Sequence, residues 1–355
     1  MAAAVPVNAQ AMDLRILQSI PTPVADALLS RGCKSAADVI SRPESLTEAL
    51  MQHHIAGPER ASNMLAACRR EAASKDAWSS ADSALSLLRK GHAVQPLRLP
   101  SAGLNGLLGN ALQGGGSLLE VCGLPGSGKT QFCLQLCAAA QISQTMPGAP
   151  DSLAEAIYVD TEGSFVPERY MQICEALLAE TRPTLDAASA ARLLEAGMRR
   201  LHVCRAYDAT ELYSTVKQLG SFIKGRPRVR ALVVDSIAFS FRHELMDNTA
   251  QRARVLADLA ATLRRCGAEH GLVVVVTNHM TTRFDRDDSS GWLAPALGET
   301  WAHQPSTQLR LEKTDNWQQP GVGRATLTKS VEQATGLSCL FRIERAGLRD
   351  HGGVA

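Results

Sequence analysis

The stretch Gly123-Leu124-Pro125-Gly126-Ser127-Gly128-Lys129-Thr130 satisfies G-x-x-x-x-G-K-[ST] at every fixed position. Before it, Leu118 to Cys122 is a short apolar run that reads as a buried strand; after it, Phe132, Leu136 and Ala140 recur at helical spacing. A glycine-rich turn between strand and helix lets main-chain N–H groups wrap phosphates. Lys129 then reaches the terminal phosphates and the Thr130 hydroxyl ligates Mg²⁺. The stretch therefore predicts an α/β fold that binds a nucleotide, ATP, together with Mg²⁺.

Working outward, apolar runs alternate with helical stretches. Ala156 to Val159, Leu201 to Cys204, Ala231 to Val234 and Leu272 to Thr277 read as further buried strands, the pattern of a mostly parallel central sheet. Asp208 and Glu211 form a D-x-x-E helix start, after which Leu212, Val216, Leu219 and Ile223 share one face as far as Gly225. A second helix is expected from Thr249 to Cys266, with Gly267 as its stop. After Gln308, the runs Leu309 to Leu311, Ala325 to Thr328 and Cys339 to Ile343 predict antiparallel strands that extend the sheet. Leu232-Val233-Val234-Asp235 is an apolar strand ending in an acid, an arrangement that orients Mg²⁺ and its water. Glu162, in Asp160-Thr161-Glu162-Gly163, follows another strand and should project from the same sheet edge. A carboxylate there serves either as general base on an attacking water or as an exposed loop acid.

Residues 1–75 read as a small all-α, helix-hairpin-helix-like domain, with a turn at Ile55-Ala56-Gly57-Pro58. Its 8 basic and 7 acidic residues favour a docking or packing role over a DNA clamp. Residues 76–100 read as a linker, 101–350 as the nucleotide-binding domain and 351–355 as a tail. Across 355 residues, 45% apolar and 20% charged composition excludes global disorder. With 37 basic against 35 acidic residues, no overall field holds nucleic acid, so any such contact must be local. Nine cysteines without a C-x-x-C pair read as free thiols of a reducing compartment. No run of 18 apolar residues offers a membrane span, and Met1 to Gln10 lacks the charged start and long apolar stretch of a secretory signal.

The phosphate-binding stretch, Asp160-Thr161-Glu162-Gly163-Ser164-Phe165 with Pro167-Glu168-Arg169, and Leu232 to Ser236 occur in an order and spacing that resembles the RecA-like (RecA/RadA-type) recombinases. Thr277 to Thr282, Pro295 to His303, and Phe239 to His243 with Arg252 and Arg254 resemble most strongly the C member of the eukaryotic recombinase paralogs. The resemblance covers about residues 20–350 and implies a RecA-like ATPase core. It makes Glu162 the catalytic glutamate, with Lys129 on the transferred phosphate, stacks Arg169 on the adenine and sets Gln131 just behind the turn. Two DNA-facing loops would lie at about Phe241 to Ala250 and Met280 to Ala296. Arg242, Arg252, Arg254, Arg283 and Arg286 are then candidate phosphate contacts, with a solvated loop or an intersubunit ion pair as the alternative. The second loop sets Arg283 and Arg286 against Asp285, Asp287 and Asp288, a net acidic balance that favours weak DNA binding.

His279 stands where the family generally has a glutamine that senses the γ-phosphate; an imidazole still hydrogen-bonds, with a different shape and a proton exchangeable near neutral pH. Val331 follows Lys329-Ser330 where filament-forming relatives have proline. Trp78-Ser79-Ser80-Ala81 resembles the family's F-x-x-A segment, in which an aromatic and a small residue plug into the next subunit; packing of Trp78 on its own core is the alternative. These features together predict an ATP-dependent homologous-recombination mediator working in a hetero-oligomer of recombinase paralogs, with weak single-stranded or branched DNA binding and low, DNA-dependent ATPase turnover. The competing readings are a self-assembling strand-exchange recombinase and an ATP-binding scaffold subunit. The family implies a nuclear location, with the cytoplasm as a second compartment; no basic run marks an import signal.

Overall fold

The apolar runs around the phosphate-binding turn form the middle of a sheet covered on both faces. The computed structural model describes residues 14, 20–53, 58–72, 83–93, 96–142, 153–243, 249–284, 291–314 and 321–352. The chain divides into two units, Met1–Leu88 and Arg89–Ala355.

In the first unit, α1 (Thr22–Ser30), α2 (Ala36–Ser41), α3 (Pro43–Gln52) and α4 (Pro58–Ala72) close around Leu14, Val24, Leu28, Val39, Leu46 and Leu50. Short helices need strong starts. Ser35 accepts from Asp38 N while the Asp38 carboxylate accepts from Ser35 N, a reciprocal cap on α2, and Pro43 opens α3. Ile55 to Gly57 of the expected turn lie outside the described residues, and Pro58 begins α4. The stretch read as a linker holds a helix, α5 (Ala84–Ala93), because Ala84, Leu85, Leu87, Leu88, Arg89 and Lys90 are all good helix formers.

The second unit is a ten-stranded sheet ordered β10-β9-β8-β7-β1-β5-β4-β2-β3, with β6 paired to β5. The strands are β1 (Leu118–Gly123), β2 (Glu155–Asp160), β3 (Leu201–Arg205), β4 (Val229–Asp235), β5 (Val273–Phe284), β6 (Gly291–Pro295), β7 (Thr307–Lys313), β8 (Val322–Lys329), β9 (Ser338–Glu344) and β10 (Gly347–Asp350). Side chains alternate between two cores. Leu119, Val121, Tyr158, Val233 and Val275 face the core that contains residues of α6 (Ala102–Leu108), α7 (Lys129–Ile142), α8 (Pro167–Thr181) and α9 (Ala187–Arg199). Leu118, Val159, Val234 and Val276 face the core built with α10 (Ala209–Lys224), α11 (Ile237–His243), α12 (Thr249–His270) and α13 (Gly298–Ala302). Two covered faces explain why these strands read as continuous apolar runs.

Four features differ from the sequence expectations. Helix α7 is buried on every side, including Cys133, Leu134 and Cys137, because it sits beneath α8 and the C-terminal strands instead of presenting one apolar stripe. Helix α12 passes through Gly267 and runs to His270; Gly271, at φ 65°, ends it. Gly267 serves close packing, since a Cβ there would stand 3.0 Å from Val274 Cγ2 and 3.3 Å from Gly116 N. Strand β7 lies parallel to β1, and the antiparallel extension begins only at β8. Strand β5 continues through Phe284 and pairs antiparallel with β6, so both ends of the expected second loop are a β-ribbon; 285–290 lie outside the described residues.

Asp350 ties the chain's last strand to the start of this unit. Its carboxylate accepts from Ser101 Oγ at 2.5 Å, Ala102 N at 2.7 Å and Gly103 N at 3.1 Å, at the beginning of α6. No helix among the described residues is long and apolar enough to cross a membrane.

Two glycines inside helices, Gly267 of α12 and Gly220 of α10, give opposite expectations. Gly267→Val should lower stability by about 1–3 kcal/mol through overpacking. Gly220→Ala, whose Cβ enters open space inside α10, should raise it by about 1 kcal/mol. Urea midpoints at unchanged slope measure both.

Candidate functional site

The parallel strands end along one edge, and the side chains that carry chemistry sit there. The turn after β1 is tight because its glycines have no room for side chains. A Cβ on Gly123 would strike the Leu311 carbonyl oxygen and the Ser127 hydroxyl. Gly128 adopts φ 102° with Ile343 Cδ1 2.8 Å from where its Cβ would be. Leu124 is exposed at the tip, and Pro125 stiffens the turn between Gly123 and Gly126. Glycines without side chains let the turn pack tightly against Leu311, Ser127 and Ile343, the bare-backbone turn that phosphate binding requires. Lys313, at the end of β7, brings its Nζ against Gly126, a second cation beside the turn that the sequence reading did not single out.

Lys129 is 8% exposed, and its Nζ donates to the carbonyls of Gly123 (2.9 Å) and Leu124 (3.1 Å). Burial pulls its ammonium below the usual lysine range, while the carboxylates of Asp235 and Glu162 resist that shift. Next in the chain, Thr130 Oγ1 donates to Asp235 Oδ2 at 2.8 Å.

Asp235, at the end of β4, is buried and accepts two more hydroxyls, from Tyr158 to Oδ2 at 2.6 Å and from Thr277 to Oδ1 at 2.5 Å. Burial raises its pKa, and the hydroxyls of Thr277, Tyr158 and Thr130 work against that rise. Thr130 and Asp235 supply hard oxygen donors at adjoining positions, a donor set that fits Mg²⁺, which takes oxygen ligands and keeps several waters. Tyr158 and Thr277 escaped the sequence reading because each lies inside an apolar strand and reads as core.

Glu162 is placed by the turn that follows β2. The buried Asp160 carboxylate accepts from the backbone N–H groups of Glu162 (3.3 Å), Ser164 (3.1 Å) and Phe165 (3.3 Å), winding the loop around itself. Thr161 Oγ1 donates to Ser236 O and accepts from Ser236 N, locking this loop to the end of β4. The Glu162 side chain, 26% exposed, accepts from His279 Nε2 and Ser236 Oγ, both at 2.5 Å and both at Oε1. Burial opposes ionisation of Glu162, but the hydrogen bonds from His279 and Ser236 outweigh it and leave the carboxyl below its usual range. His279 is held opposite Gly123 in the β1–β5 register. Sequence expectation put His279 near the nucleotide; the structure adds that it touches Glu162.

Arg169, at the start of α8, spends its donors on Gln131 Oε1 (2.7 Å), Gln172 Oε1 (3.2 Å) and the carbonyls of Glu344 (2.6 Å) and Arg345 (2.7 Å). Edge-on bonding of that kind fixes the guanidinium plane and leaves its faces for stacking. The same bonds explain Gln131, which anchors Arg169 from the first turn of α7.

Two of the other expected residues lie apart from this cluster. Arg252 and Arg254 lie on α12, half-buried and exposed respectively. Arg242 falls on α11 and Arg283 on β5, with side chains outside the described residues, as are Arg286, Trp78 and Ala81 altogether.

On the far side of β1, a second buried carboxylate, Glu120, accepts from Asn278 Nδ2 (2.7 Å), Trp301 Nε1 (2.7 Å) and Gln308 Nε2 (2.5 Å). It joins β1, β5, α13 and β7 directly behind the site.

The Rad51 family model matches residues 92–351. The chain is 36% identical over 254 residues to "DNA repair protein RAD51 homolog 3" of Cricetulus griseus, covering 68% of this chain and 66% of that protein. To "DNA repair protein RAD51 homolog 4" of Bos taurus it is 31% identical over 227 residues, 62% of this chain and 63% of that protein. The chain thus spans just under two thirds of the length of these relatives. Among solved structures it is similar to the RadB recombinase, with a TM-score of 0.55, 27% identity, and coverage of 72% of this chain and 100% of that one. Because the Rad51 match takes in the whole sheet from β1 to β10 and every residue of the cluster at its edge, the chain belongs to the Rad51 family.

Proposed function

We propose that this chain binds ATP with Mg²⁺, hydrolyses it slowly in a DNA-dependent way, and acts in homologous recombination as a mediator within a complex of Rad51 paralogs. One observation carries the reading: Lys129, the Thr130–Asp235 pair and Glu162 converge at the edge where β1, β4 and β2 end. Lys129 lies on the carbonyls of a turn built for phosphates, ready to exchange them for phosphate oxygens. Mg²⁺, when bound by Thr130 and Asp235, would offset phosphate charge. Glu162 takes a proton from water as that O–H bond breaks; the oxygen bonds to the terminal phosphorus, and the phosphoanhydride electrons leave with ADP. The paralog and DNA-repair assignments rest on relatives whose names describe DNA repair proteins, and a nuclear location follows from the same kinship.

A groove supports the place in an assembly. Strand β3 ends the sheet order and, among the described residues, pairs only with β2. Beside it, Ile157, Val159, Val203, Leu219 and Phe222 line a groove of about 930 Å³, in which Val203 is 41% exposed. An unpaired strand edge next to an apolar hollow suits an extended segment carrying an aromatic anchor, the chemistry of Trp78-Ser79-Ser80-Ala81 and of its counterpart in a paralog. The DNA-binding arginines remain part of this proposal. The acidic stretch 285–288 accords with weak DNA binding and with mediation in preference to independent strand exchange.

Three outcomes are expected. Lys129→Ala abolishes ATP binding in calorimetry, and tight binding by that variant would refute the site. Glu162→Gln keeps binding while lowering turnover by about 10²–10⁴-fold in a phosphate-release assay with and without single-stranded DNA; turnover at the wild-type rate removes Glu162 as base. Val203→Glu in the groove and Trp78→Ala in the linker each weaken paralog capture in a pull-down by at least about tenfold, whereas unchanged capture by both removes the docking arrangement.

A further inference from the structure

Two donors meet on one oxygen of Glu162, and the geometry around them leaves little freedom. Ser236 Oγ accepts from Phe239 N at 3.2 Å, so its own proton is directed at Glu162 Oε1. Its backbone is locked to Thr161, the residue before Glu162, by a pair of hydrogen bonds of 2.7 and 2.8 Å. An ionised carboxylate only accepts, so His279 must carry a proton on Nε2 to bond with it. Both bonds fall on Oε1, and among the described residues Oε2 receives none. We infer that Ser236 and His279 are positioning residues that hold Glu162 by Oε1 and present Oε2 to the attacking water, so that the rate of hydrolysis depends on both donors. This rests on the reading of Glu162 as the base.

The charges around Glu162 are consistent with that division of labour. Lys129 faces it from the start of α7 and Asp235 from the end of β4, while His279 comes from β5 and Asp160 holds its backbone from β2. Lys129 and the two donors favour the carboxylate, whereas burial and the neighbouring Asp235 disfavour it. Removing a donor therefore raises the pH at which Glu162 loses its proton, which moves the acid limb of turnover upward.

The donors also root two separate segments. Ser236 leads directly into α11, and His279 lies on β5 at the start of its pairing with β6. Both elements thus meet on one carboxylate oxygen.

The test compares Ser236→Ala, His279→Ala and His279→Gln with Glu162→Gln in the purified full-length chain, measuring ATP affinity by calorimetry and turnover against pH. Ser236→Ala and His279→Ala should each lower kcat by about 10- to 100-fold, leave ATP affinity within about twofold, and shift the acid limb to higher pH. His279→Gln, which retains an N–H donor, should restore most of kcat. Unaltered kcat and acid limb in both alanine variants, alongside loss of turnover in Glu162→Gln, overturns the positioning role and leaves the base assignment standing. Full turnover in Glu162→Gln overturns both. Should an alanine variant lose ATP binding through misfolding, Ser236→Thr and His279→Gln decide: wild-type pH profiles support the donor requirement, and a loss of turnover despite intact donors overturns it.

Discussion

A carboxylate removed from water must be given hydrogen bonds or it gives up its charge, and Asp235 is satisfied by three hydroxyls drawn from three parts of the sheet unit. Thr130 comes from the helix after the phosphate turn, Tyr158 from β2 and Thr277 from β5. Satisfying one acid therefore fixes the relative height of three elements that are far apart in sequence. Glu162 and His279 follow from the same alignment, since one lies two residues beyond β2 and the other two residues beyond Thr277. Glu120 repeats the device on the opposite side of β1, where an amide, an indole and another amide converge on it. Two buried acids thus serve the middle of the sheet, Glu120 on β1 itself and Asp235 on β4, each bonded to neutral donors. Neither demands a paired cation, so Lys129 is left to serve phosphates.

Much of this was legible in the sequence because it depends on local pattern. A glycine-rich turn between strand and helix, an apolar run ending in an acid, and the D-x-x-E start of α10 are short-range statements, and the Asp208 carboxylate does accept from Glu211 N at 2.7 Å. What escaped depends on who meets whom across the sheet. Tyr158 and Thr277 read as strand core, and only the register that places Asp160 beside Asp235 turns them toward the acid. Gly267 read as a helix stop because its local signal equals that of Gly271; the difference is that Gly116 and Val274 crowd against it. The parallel placement of β7 was invisible for the same reason, since an alternating strand does not declare its direction.

The sheet's two edges show different solutions to one problem. At one end, β8, β9 and β10 run antiparallel, and the short β10 closes on α6 through Asp350. At the other, β3 has no second strand partner among the described residues, and its Val203 and Cys204 are exposed beside a hollow. An open edge is a hazard for a free chain and a ready surface for a partner, and the contrast within one sheet gives the molecule a direction.

The position of β1 carries a consequence for how the protein comes into being. Its neighbours are β5, through Leu118 and Val274, and β7, through Leu119 and Thr307. Both are made long after β1 leaves the ribosome, and the cap that Asp350 places on α6 comes later still. Pairings of such separation form slowly, because the intervening chain must first be brought into a closed loop. The phosphate turn is thus written well before it is finished: a nascent chain cannot hold nucleotide in its complete cradle until β5 and β7 have both been synthesised and paired with β1.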